Sequence, residues 1–151
     1  MDHFIPGLAV DLATSTSSAH LALTYYFYPN AACTVATCQL DVGFVTSPDA
    51  GATWSASTQL AGPMSLADIA ATTQGPMVGD YISTSFNSAG TAATVFAIGN
   101  THTGTVFDEG MWAPSTPLPV ASAAKATRRA STAGARSGQG VGAGQQAIKR
   151  N

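Results

Sequence analysis

Residues 47 to 54 read Ser47-Pro48-Asp49-Ala50-Gly51-Ala52-Thr53-Trp54, and they constrain the fold more than any other stretch of the chain. A carboxylate at Asp49 can accept hydrogen bonds from backbone N–H groups just ahead of it, and Gly51 can take the positive φ that a tight turn demands. Ser47 and Thr53 flank the turn with hydroxyls. Trp54 is placed to open the return strand, where a large ring buries apolar area while its indole N–H finds a partner. Any Asp-x-Gly between two apolar runs predicts a hairpin; here Ser, Thr and Trp define the turn further.

Strand signals recur on both sides of this turn, and no long helical periodicity competes with them. Ile5 to Val10 is a short apolar run. His20 to Tyr28 (HLALTYYFY) is rich in aromatic and aliphatic residues and stops at Pro29-Asn30. Leu40 to Thr46 alternates, with Leu40, Val42 and Phe44 on one face and Asp41 and Gly43 on the other. The turn then leads into Thr53 to Leu60, which completes four consecutive strands. Met64 to Ala71 predicts one short helix with Ser65 as its N-cap. Val78 to Ser85, the Asn87-Ser88-Ala89-Gly90 turn, Thr94 to Ile98 and Val106 to Trp112 predict a second run of strands, ended by Pro114.

The pattern Ser/Thr-x-Asp-x-Gly-x-Thr-Trp resembles the Asp box, or bacterial neuraminidase repeat, of sialidase-like β-propellers, with Ser47, Asp49, Gly51, Thr53 and Trp54 at all the defining positions. The resemblance covers about residues 4 to 118. It implies an all-β domain over 1–118 built of about two four-stranded blades, one near 4–62 and one near 76–118. A degenerate second box is visible: Gly104 precedes Phe107 by the spacing of Gly51 and Trp54, but His102 stands in the place of Asp49. Two blades do not close a ring and would leave apolar faces for neighbouring blades to cover. The expected readings are a C-terminal fragment of a larger propeller, a short chain that self-associates, or a sandwich built from similar hairpins, with the fragment preferred.

Charge divides the chain. All six basic residues lie from Lys125 onward and all eight acidic residues lie at or before Glu109, so the net charge of −2 hides a body at −8 and a tail at +6. Residues 119–151 are almost wholly Ala, Gly, Ser, Gln and basic side chains, too little apolar surface to offset the entropy of ordering, and predict a disordered tail. Such a tail can touch an anionic surface or remain solvated. It lacks the interleaved aromatics of a single-strand nucleic-acid binder, so no specific nucleic-acid partner is expected. Cys33 and Cys38 are the only cysteines. Two thiols do not complete a zinc site, and a disulfide between neighbouring strands is the expectation. That pairing and the polar composition point to a secreted or cell-surface protein, although MDHFIPGLAV is not a signal peptide. No apolar run is long enough to span a membrane.

The resemblance implies what chemistry to look for. Sialidases grip a carboxylate with three arginines, use a tyrosine activated by a glutamate as nucleophile, and use an aspartate as acid/base. No arginine precedes residue 128, and Glu109 is the sole glutamate beside Tyr25, Tyr26, Tyr28 and Tyr81. The most site-like element is Gly79-Asp80-Tyr81, in which Asp80 and Tyr81 are candidate ligand-binding residues or simply a turn into a strand. His3, His20 and His102 match no metal motif, Asp108-Glu109-Gly110 is no calcium loop, and no cofactor fingerprint is present. The expected function is therefore a non-catalytic part of an exported bacterial sialidase-like propeller that binds carbohydrate or a cell surface, or serves as scaffold. The alternative is the C-terminal part of a glycoside hydrolase whose arginines lie in other blades.

Overall fold

The period-2 alternation through Leu40, Val42 and Phe44 needs a second apolar layer, and the chain supplies that layer itself. The computed structural model describes residues 2–30 and 32–120. The part of the expected disordered tail from 121 to 151 lies outside the described residues. The chain runs through β1 (Asp2–Val10), β2 (Leu21–Tyr28), β3 (Gln39–Ser47), β4 (Thr58–Ser65), β5 (Ala71–Thr72), β6 (Gly75–Pro76), β7 (Ser83–Phe86), β8 (Ala92–Asn100) and β9 (Asp108–Trp112). All pairings are antiparallel. β1 to β4 form a four-stranded meander, β7 to β9 a three-stranded one, and β5 and β6 a small hairpin between them.

The two larger sheets share one core. Tyr26, Leu40, Val42 and Met64 from the first sheet meet Phe96 and Ala97 from the second, with Leu66, Ile69, Val78 and Ile82 filling the space from the connecting segment. Leu40, Val42 and Phe44, the apolar face of the alternating run, are buried within the chain, as is Phe96. β1 approaches residue 82 so closely that a Cβ on Gly7 would stand 2.7 Å from the Ile82 backbone oxygen. The pairing of β1 with β2 shifts between Phe4 and Gly7, where Ile5 takes a φ of 47°. This bulge bends the edge strand over the core.

Tyr26 joins the sheets. Its hydroxyl accepts from the Ala97 N–H at 2.8 Å and donates to the Ala97 carbonyl at 2.9 Å. The β7–β8 ladder has by then ended at Ser83↔Val95, so a side chain supplies backbone partners where strand pairing has stopped. Burial pushes the Tyr26 phenol up to about 12, against the Ala97 backbone hydrogen bond, which lowers it; the charge of Glu109 adds to the rise.

Several expectations are corrected. The return strand of the first hairpin begins at Thr58, not Thr53, because residues 48–57 form a longer connection. The helix expected over 64–71 is one 3-10 turn, Leu66–Asp68, because β4 runs on to Ser65; Ser65 still caps that turn, its Oγ accepting from the Ala67 N–H at 3.2 Å. The second run of strands starts at Ser83 rather than Val78, since Gly79 at φ 100° breaks the extended path. Its sheet has three strands where a four-stranded blade is expected, and residue 118 adds only a bridge to Ala92. Neither sheet closes on itself.

Candidate functional site

The turn that sequence singles out is held by its own side chains. Ala50 and Gly51 both have positive φ, 57° and 88°, and the Ala52 N–H reaches the Asp49 carbonyl at 3.1 Å, which gives a primed turn. Ser47 Oγ accepts from the Gly51 N–H at 2.8 Å and donates to Asp49 Oδ1 at 2.9 Å. The Asp49 carboxylate also accepts from the Thr53 N–H at 2.7 Å and the Thr53 hydroxyl at 2.6 Å. The Thr53 hydroxyl, then the Thr53 N–H and the Ser47 hydroxyl, hold the Asp49 carboxyl below its ordinary range. Ser55 continues the closure, with its N–H on the Thr46 carbonyl at 2.8 Å and its Oγ accepting from the Thr46 N–H at 3.0 Å. Trp54 differs from expectation. It lies in the connection, 43% exposed, and its ring turns back toward Gly51 at the edge of an apolar groove shared with Leu23, Tyr25 and Val45.

The second candidate element lies at the opposite end of β3. A cavity of about 180 Å³ opens between the first sheet and the connecting segment, walled by Phe4, Ile5, Tyr28, Leu40, Leu66, Ile69 and the segment Pro76–Asp80. Phe4 and Tyr28 form an aromatic wall, their ring centroids 5.3 Å apart. Asp80 is exposed and is the sole ionisable carboxylate on the lining. It has no hydrogen-bond or ion-pair partner among the described residues. Tyr81, named with it in the sequence, does not line the cavity and is 87% exposed. Sequence reasoning missed Phe4 and Tyr28. The signal was the run Tyr25-Tyr26-Phe27-Tyr28, whose alternation sends Tyr26 and Tyr28 to one face and Tyr25 and Phe27 to the other.

Several other titratable groups make internal contacts. Glu109 lies close enough to Tyr26 for its charge to act there, but its Oε2 accepts from the Ala70 N–H at 2.9 Å, and Tyr26 is 1% exposed with its hydroxyl committed to Ala97. A buried phenol pushed up to about 12 is a poor nucleophile. The Tyr25 hydroxyl meets the Ser57 hydroxyl at 2.7 Å. His102 packs against Phe107 with ring centroids 4.6 Å apart and planes tilted by 50°, while its buried Nδ1 lies 3.8 Å from Asp68 Oδ1 without a hydrogen-bond partner. Cys33 and Cys38 are joined as a disulfide that closes the connection between β2 and β3. No group of three or more His, Cys, Asp or Glu that could hold a metal occurs among the described residues, and no helix there is long and apolar enough to cross a membrane.

Fold and site together define an all-β, disulfide-bonded domain with an internally hydrogen-bonded Ser-Asp-Thr turn and a small aromatic cavity. Comparison with family models, with curated proteins and with solved structures gives no match.

Proposed function

We propose that this chain is a non-catalytic, sugar-binding part of an exported sialidase-like Asp-box protein, and that the cavity beside Asp80 receives one sugar ring. The Asp-box reading is supported by the hydrogen-bond net of Ser47, Asp49 and Thr53. The observation that carries the binding reading is the cavity: an aromatic wall at Phe4 and Tyr28 with a free carboxylate at its edge. The C–H face of a pyranose is apolar and stacks on an aromatic face, while its hydroxyls need an acceptor such as Asp80. The volume of about 180 Å³ is below the roughly 300–1,000 Å³ of pockets for larger ligands, and suits one ring.

Against sialidase-type hydrolysis stand a cavity lining without arginine to grip a carboxylate and a sole glutamate, Glu109, that is off the lining and bonded to the Ala70 N–H. The disulfide agrees with an oxidising compartment. Glycan binding by calorimetry together with a fluorogenic sialoside assay tests the reading. Saturable sugar binding, lost on Tyr28→Ala, with no turnover, is expected; turnover by the purified chain, or no binding to any sugar, would overturn it.

A further inference from the structure

Asp80 is a carboxylate with no ion-pair partner among the described residues. It is exposed at the cavity edge and unpaired among the described residues, and no Lys or Arg occurs in the sequence before Lys125. The rest of the lining is uncharged and mostly apolar: Phe4, Ile5, Tyr28, Leu40 and Met77 are typical of it. A ligand seated there therefore meets one fixed negative charge next to aromatic faces, whose negative quadrupole also favours a cation. An anionic sugar would bring a second negative charge to the same edge, where no basic residue lines the cavity.

From this we infer that the sugar class taken by the cavity is a cationic amino sugar, a pyranose with a free, protonated amine, whose ring lies against Phe4 and Tyr28 and whose ammonium pairs with Asp80. The inference rests on the sugar-binding reading above and names its ligand. It excludes acidic sugars, sialic acid among them, as ligands of this cavity. N-acylation removes the ammonium charge and leaves the ring, so it isolates the contribution of Asp80.

The test is calorimetry on the full 151-residue chain with a glucosamine disaccharide, its N-acetylated form, a glucose disaccharide and a sialyl trisaccharide. The free amine form is expected to bind roughly tenfold tighter than the N-acetylated and neutral sugars, as one charge-assisted hydrogen bond allows. Asp80→Asn, at an exposed position that makes no structural hydrogen bond, should level the affinities, and high salt should narrow the gap. Equal binding of amine and neutral sugars, a preference for the sialyl sugar, or an amine preference that survives Asp80→Asn would overturn the inference and leave the sugar-binding reading in place. Absence of binding to all four sugars would remove both.

Discussion

The connections at 48–57 and 101–107 stand in corresponding places, each between the last two strands of its sheet, and the sequence suggests one device for both. They are built differently. In the first, a carboxylate with two oxygens takes two hydroxyls and an N–H, and Ser47 Oγ takes the turn's glycine N–H. In the second, the imidazole of His102 makes a tilted ring contact with Phe107 and leaves a buried nitrogen without a hydrogen-bond partner. Spacing alone therefore does not make the turn. The device needs an acceptor that several donors can reach at once, and a neutral imidazole offers one.

The comparison presumes that both sheets belong to one cooperative unit, and Tyr26→Phe is the severest way to break that premise. The change removes one oxygen and leaves both the N–H and the carbonyl of Ala97 unsatisfied in the core. An unsatisfied buried group costs about 1–3 kcal/mol, so a loss of roughly 2–4 kcal/mol is expected for the pair. Urea unfolding followed by tryptophan fluorescence and far-UV circular dichroism measures it. Two separate transitions in the parent chain would mean that the sheets unfold independently.

Next in size is Asp49→Ala, which strips the first turn of its shared acceptor and should lower the unfolding midpoint more than any substitution in the second turn. The effect depends on pH with a fixed sign. Asp49 has its folded-state pKa depressed, so its contribution is present above the unfolded value of about 3.9 and is lost as pH falls through the lower folded value. Variant and parent should converge in acid. A variant as stable as the parent at neutral pH would reduce the hydrogen-bond net to an accompaniment of the turn.

His102→Ala sharpens the contrast from the other side. It forfeits mainly the ring contact with Phe107, for which about 1 kcal/mol is the scale. His102→Asp should not reproduce the first turn, even though it introduces the residue type that Asp49 supplies there. Asp68 Oδ1 lies 3.8 Å from the present imidazole nitrogen, and a second carboxylate there meets repulsion rather than donors. A His102→Asp variant more stable than His102→Ala would show that the second turn lacks only an acid to be built like the first.

These contrasts also say what was legible in the sequence. β3 follows from alternation, β1 and β2 from their apolar and aromatic runs, the Asn87–Gly90 turn from its residues, the disulfide from spacing, and the Ser65 cap from residue type. The late start of β4 was not legible, because Ser55 closes on Thr46 through a side chain and postpones regular pairing. Nor was the role of Tyr26, whose partner is 71 residues away and is backbone, which carries no residue signature. Asp80 was legible as a candidate, but its aromatic wall was not: Phe4 lies next to a bulge that no local pattern announces, and Tyr81 drew attention by adjacency alone.

The smallest expected effect compares Asp49 with Asp41, the buried carboxylate of the neighbouring strand position set. Asp41 is 5% exposed, its Oδ1 has no hydrogen-bond partner, and Gly62 on β4 lies directly against it. Burial raises its pKa, so the sign is the reverse of that for Asp49: the folded state disfavours the ionised form, a cost present in full above the raised value and gone below the unfolded value of about 3.9. Asp41→Asn removes that charge at nearly constant shape. The variant should equal or slightly exceed the parent in stability at neutral pH, and the difference should vanish below about pH 4. Unfolding midpoints of parent and variant across that range measure it. A variant that is less stable at neutral pH and regains parity with the parent in acid would show that the Asp41 carboxylate stabilises through its charge, and that the two acidic residues of β3 and its turn do not act in opposite directions.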